Sequence, residues 1–134
     1  MKFVDKQLAI KLKEKGFDKP CFGWYDTQII GNNELYLNVK EGSYKDLLEY
    51  TNDFEWIIDA PTIDQVLEWL REEKKIHLVI DIKKRQKVCE NIIWGYFVVL
   101  LDNSFHCVRH YDFESDSYED ACIAGINFVV EHLI

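Results

Sequence analysis

Apolar and polar positions along this chain follow two periods, and the switches between them mark its elements. From Val4, apolar residues recur at Leu8, Ala9 and Leu12, while Lys6, Lys11, Lys13, Glu14 and Lys15 take the other side. This is a helix with one buried face. Asp5 stands where its carboxylate can cap the free N–H groups at the helix start. Gly16 suits a left-handed residue just past the end, and Phe17 then falls where an apolar contact with Leu12 completes a Schellman motif. Pro20 keeps the helix ended. A second helix opens at Thr62, followed three residues later by Gln65, the spacing of a capping box. Ile63, Val66, Leu67 and Leu70 form its buried stripe, and Arg71, Glu72, Glu73, Lys74 and Lys75 face water.

The period then changes from helical to two. Ile76, Leu78, Ile80 and Ile82 point to one face of a strand, and His77, Val79, Asp81 and Lys83 to the other. After the polar stretch Lys83-Lys84-Arg85-Gln86-Lys87, the run Ile92–Leu101 is continuously apolar, rich in β-branched and aromatic residues. Such a run predicts a central strand covered on both faces. Asp102-Asn103-Ser104 reads as a tight turn, with Phe105–Tyr111 as the returning strand and 112–116 as a polar connection. Ser117 caps a closing helix, with Glu119 and Asp120 in the first turn where the helix dipole favours acids. Tyr118, Cys122, Gly125, Ile126, Val129 and Leu133 are its main inner face, and Ala121 and Gly125 permit close approach to a sheet. Its polar stripe, Asp120, Asn127 and Glu131, is narrow. Ile123, Val130 and Ile134 therefore extend the apolar surface beyond one face, which suits either burial between layers or a protein contact.

The order from residue 62 is α-β-β-β-α. Short connections predict an α+β fold: a three-stranded antiparallel meander with helices packed on one face, and N-terminal strands joining it. Residues 21–59 carry weaker signals. Cys21–Tyr25 suits a short strand, Gly31-Asn32-Asn33 a turn, and Leu35, Leu37 and Val39 a second strand, while Ser43 suits the cap of a short helix over Tyr44–Tyr50. No linker-like run appears, so the expectation is one domain over 1–134.

Composition narrows the function classes. A net charge of −8 repels nucleic-acid phosphates and anionic membranes, so neither is an expected partner. No apolar run reaches the length of a membrane span. The N-terminal segment alternates charge with apolar residues and lacks a signal-peptide core, so the expected location is the cytoplasm. The four cysteines, Cys21, Cys89, Cys107 and Cys122, form no C-x-x-C pair and are expected as reduced thiols packed as small hydrophobes.

Three segments together carry a family pattern: LKEKGFDKPCFGWY at 12–25, APTIDQVLEWLREEKKIHLVI at 60–80 and SYEDACIAGINFVVEHLI at 117–134. The pattern resembles that of a group of small bacteriophage- and prophage-encoded proteins with no assigned activity. The resemblance implies an accessory protein working in a bacterial cytoplasm. The closing helix departs from that pattern, with Cys122, Phe128, Val129 and Val130 in place of a more charged end.

No sequence motif for catalysis, metal binding or a cofactor is present, and no cofactor is expected. His106 and His110 would share a helix face, but on a strand they stand about 13 Å apart, too far to hold one ion. His77 would have to lie on the same face to restore a metal site, and Asp81, His106, His110 and Asp112 would make an acid–base pair only if pairing of strands brought them together. The concentrated basic residues Lys83, Lys84, Arg85 and Lys87 suit a solvated loop or a weak nucleic-acid contact. The α-β-β-β-α order also resembles double-stranded-RNA-binding domains, but Glu114, Asp116, Glu119 and Asp120 stand where phosphates would have to bind. Trp69, beside its helix's stripe, is either a flank residue covered by residues 21–59 or an exposed interface anchor, a role that Ile123, Val130 and Ile134 could share. The leading expectation is a non-enzymatic protein-interaction module or self-associating protein. A nucleic-acid contact through residues 83–87 is second, and an enzyme third.

Overall fold

A computed structural model of the chain describes residues 2–37, 56–85, 92–101 and 107–134. The expected Ser43-capped helix over Tyr44–Tyr50, the turn at 102–104, Phe105, His106 and Lys87 lie outside the described residues. The chain is α+β, with two antiparallel three-stranded sheets, and divides into two compact units, residues 1–65 and 66–134.

The first unit begins with an extended segment that bonds to the chain ahead of the second helix. Val4 N–H donates to the Pro61 carbonyl at 3.0 Å, and Ile63 N–H to the Lys2 carbonyl at 2.9 Å. Helix α1 (Lys6–Glu14) follows, its Leu8 N–H donating to the Asp5 carboxylate at 2.8 Å. Its end is the Schellman motif expected from sequence. Phe17 N–H reaches the Leu12 carbonyl at 3.0 Å and Gly16 N–H the Lys13 carbonyl at 3.1 Å, with Gly16 at φ 93°. Val4, Leu8, Ala9, Leu12 and Phe17 are all buried. Strands β1 (Gly23–Asp26), β2 (Leu35–Leu37) and β3 (Ile57–Ala60) form a sheet in the order β2-β1-β3. The N-terminal strands thus build a sheet of their own. The reason is pairing: β1 has partners on both sides, Trp24 opposite Tyr36 and Trp24 opposite Asp59. Strand β3 carried no clear signal in the sequence.

Helix α2 (Ile63–Glu73) starts in the first unit and continues in the second. Its capping box is formed as predicted. Gln65 N–H donates to Thr62 Oγ1 at 3.2 Å, and Thr62 N–H to Gln65 Oε1 at 2.9 Å. Gln65 Nε2 also reaches the Pro20 carbonyl at 2.9 Å. The buried stripe is Ile63, Val66, Trp69 and Leu70, with Leu67 half-buried, so it is rotated toward Trp69 from the predicted one.

In the second unit, β4 (Ile76–Arg85), β5 (Ile92–Leu100) and β6 (Cys107–Ser115) form the predicted meander, with β5 central. Strand β4 runs further than its apolar alternation suggested. A bulge between Ile82 and Lys84 lets Lys84 and Arg85 pair with Ile93 and Ile92. The basic residues 83–85 are therefore strand, not loop. Likewise β6 continues to Ser115, past a second irregularity between Trp94 and Tyr96 that sets Ser115 against Trp94.

Helix α3 (Tyr118–His132) packs on this sheet, capped by Ser117 Oγ, which accepts from Asp120 N–H at 3.2 Å. A Cβ on Gly125 would sit 2.7 Å from Leu78 Cδ1, so the glycine is what lets the helix approach β4. Phe128 packs against Tyr96, ring centroids 6.0 Å apart. Tyr118, expected on the inner face, is half exposed and turns its ring edge-on to Trp94 at 5.1 Å.

Two expectations follow. Gly125→Val should cost about 1–3 kcal/mol by overpacking and Leu78→Ala about 2–5 kcal/mol by leaving a cavity. Because the new methyl groups fill that cavity, the double variant should lose clearly less than the sum, as chemical denaturation of the four proteins would show. Lys75 sits at φ 58°, a left-handed conformation that disfavours a side chain. Lys75→Gly should stabilise the protein by about 0.5–1 kcal/mol, read as a higher denaturation midpoint with unchanged slope.

Candidate functional site

The sequence-predicted residues separate in the structure. Trp69 is 1 % exposed, its indole N–H donates to Glu73 Oε2 at 3.1 Å, and Lys74 Nζ lies 5.3 Å from its ring centroid. Val130 is 2 % exposed. Neither is an exposed anchor: burial on the helix's inner side takes both. Ile123 and Ile134 are half-buried.

His77 and Asp81 stand opposite Val99 and Gly95, while position 110 stands opposite Tyr96. Successive rows of a sheet face opposite ways, so Asp81 and position 110 are on opposite sides. His77 and Asp81 share a side but lie four residues apart along one strand, about 13 Å. Register therefore does not bring Asp81 together with His77 or with position 110. Among the described residues, no three His, Cys, Asp or Glu side chains gather as metal ligands. Lys83, Lys84 and Arg85 belong to β4, and Lys87 lies outside the described residues.

Two features of the first unit present chemistry to the surface; sequence reasoning placed the turn of the first but neither its exposed isoleucines nor the second feature. One is the turn between β1 and β2. Asn32 N–H donates to the Ile29 carbonyl at 3.2 Å, and Gly31 at φ 85° takes the third position of this β-turn, where a left-handed residue is needed. Lys6 Nζ holds the turn from α1 by donating to the Asn32 carbonyl at 2.7 Å. Asp26 Oδ1 accepts from Gln28 N–H at 2.8 Å on one side, and Asn32 Oδ1 from Glu34 N–H at 3.0 Å on the other. The frame so fixed leaves Ile30 100 % exposed and Ile29 57 % exposed.

The other is a row across the sheet. Tyr36, Trp24 and Asp59 are mutual register partners on β2, β1 and β3, so all three project from the same face. Trp24 and Tyr36 stack with centroids 4.5 Å apart and planes at 20°. That separation is close to the strand spacing of about 4.8 Å, so the rings stand up side by side from neighbouring strands. Burial pushes the Asp59 carboxyl above its ordinary value, while the Lys13 charge pulls it down by less. No hydrogen bond or ion pair to that carboxylate occurs among the described residues. Cys21 is 2 % exposed, and burial first, then the Asp59 charge, push its thiol up to about 12, which leaves it a poor nucleophile. Nothing in the linear sequence set Trp24 beside Asp59.

The raised carboxyl has a consequence for stability. An acid with a folded-state pKa above its unfolded value of about 3.8 disfavours the fold once ionised. Its protonated form stabilises fully below the unfolded value, and that contribution is lost as pH rises through the folded one. Asp59→Asn should therefore melt higher than the parent at pH 7. The gap between the two should close as pH falls toward 4, in paired thermal melts across that range.

No helix among the described residues is long and apolar enough to cross a membrane. The chain matches no protein-family model, and no curated protein or solved structure is significantly similar to it.

Proposed function

We propose that this chain is a non-enzymatic accessory protein that acts by binding another protein, and that the turn at Ile29–Gly31 is its contact element. The observation that carries this reading is the full exposure of Ile30 beside the half-exposed Ile29 at the tip of a braced hairpin. Single exposed apolar residues are ordinary. Two adjacent β-branched aliphatics at a turn apex are not, because turns are built from Gly, Pro, Asn, Asp and Ser for reasons of backbone geometry. Neither isoleucine contributes more than a little to the core, so each is replaceable at small cost to the fold. The bracing from Lys6, Asp26 and Asn32 reduces the ordering cost of binding.

The chemistry favours a protein partner with an apolar pocket. Asp26 and Glu34 flank the tip, and the chain carries a net charge of −8, which opposes insertion into an anionic bilayer or contact with phosphates. Burying the two isoleucines yields roughly 2–4 kcal/mol.

A photo-crosslinking residue at position 30, used in cells that produce the protein, would capture the partner, which is then purified and titrated. Ile29→Ser with Ile30→Ser should weaken that binding by at least about 30-fold. The melting temperature should stay within about 2 °C of the parent. Equal affinity of the parent and the double variant would overturn the proposal.

A further inference from the structure

We infer that the row Tyr36–Trp24–Asp59 is a binding site for a planar guanidinium cation. This inference is independent of the hairpin turn and stands or falls without it.

Trp24 has two ring faces. One is taken by Tyr36, stacked at 4.5 Å from the β2 side. The other looks toward β3, where the row partner is Asp59. An indole reaches much further from its backbone than an aspartate does. The outer part of that second face therefore rises above the carboxylate, making a step with an aromatic wall and an anionic floor. A flat cation laid on the wall stacks on the indole and meets the carboxylate with its edge. Guanidinium matches both demands: it is planar, weakly hydrated and able to give a carboxylate two parallel N–H donors. An ammonium matches only the charge, and a neutral planar amide only the shape.

The surrounding charges agree. Asp26 lies two residues along β1 from Trp24 and so projects from the same face, adding a second negative group. Lys13 is the cation whose charge reaches Asp59, and no ion pair between them closes. The carboxylate is half-buried and lacks a donor among the described residues, so it carries a desolvation cost that a bound cation would offset. Tyr36 holds the wall upright and is itself held, its hydroxyl donating to Glu34 Oε2 at 3.3 Å.

The guanidinium can belong to an arginine side chain of a protein or to a small guanidino compound, and the two are separable. The Trp24 indole N–H signal, assigned in the full-length protein with Trp24→Phe, would be followed by two-dimensional NMR. The probes are N-acetyl-arginine-methylamide, its lysine and citrulline counterparts, and methylguanidinium. Capped arginine should shift that signal with a dissociation constant on the order of 1–10 mM. Capped lysine should bind several-fold more weakly, and citrulline, planar but neutral, at least about tenfold more weakly. Asp59→Asn, which keeps the shape, should weaken arginine at least about tenfold, while Asp59→Glu should retain part of the affinity. Tighter binding of capped arginine than of methylguanidinium assigns the site to a protein side chain, and equal binding assigns it to small guanidino compounds. Either supports the site. Citrulline binding as well as arginine, unchanged arginine affinity in Asp59→Asn, or no shift of the Trp24 signal would each overturn it.

Discussion

The first unit depends on a short backbone clasp. Residues 2–4 and 61–63 exchange two hydrogen bonds around the antiparallel bridge Phe3–Thr62. Pro61 has no N–H to give, yet its carbonyl is free to accept from Val4, so a residue that ends regular pairing still takes part. The clasp fixes where α1 begins and sets it against β3. It also brings the Val4 carbonyl to the Tyr25 hydroxyl at 2.6 Å, which ties β1 to the same segment. Tyr25 in turn fixes which face of β1 looks inward, and the alternation of the strand then turns Trp24 and Asp26 the other way. At the other side of the clasp, Thr62 caps α2 and Gln65 reaches back to Pro20, so the start of one helix secures the loop that follows another.

The second unit rests on a different constraint, the volume available between a helix and a sheet. Leu78 fills the place where a side chain at 125 would go, and Tyr96 fills the space beside Phe128. Gly125 opposite Leu78 sets a small residue against a large one, the way close-packed layers interlock. The excess of apolar surface on α3 then has a plain explanation for Val130, which is buried with Ala121, Cys122, Gly125, Ile126 and Val129. Ile123 and Ile134 stay half-buried, and Asn127 satisfies its amide within the helix, donating to the Ile123 carbonyl at 3.1 Å.

The two candidate contact features in the first unit share a design: rigid backbone carries a group that the fold does not need. The turn is closed by its own hydrogen bond and held from α1, yet displays an isoleucine that touches nothing in the core. Asp59 is built into a strand, yet its charge works against folding. Residues kept at a cost to stability are where function is expected to sit.

Helix starts and stops were legible in the sequence because their causes are local. Asp5, Gly16, Thr62 with Gln65, and Ser117 each act within a few residues, and every one of these caps is present as read. The β4–β5–β6 meander was legible because period-two alternation and short connections leave few ways to pair. Its ends were not, since pairing across bulges at Ile82 and Trp94 decided that Lys84, Arg85 and Ser115 are strand. The burial of Trp69, the separate N-terminal sheet and the opposite-facing Asp81 and position 110 were likewise decided by tertiary structure. So was the row that sets Trp24 between Tyr36 and Asp59. The sequence by itself determined what each segment would form, because that follows from interactions between near neighbours. Only the tertiary structure decided which segments meet and which faces they show, because register and layer packing join residues far apart in the chain, and no local pattern records them.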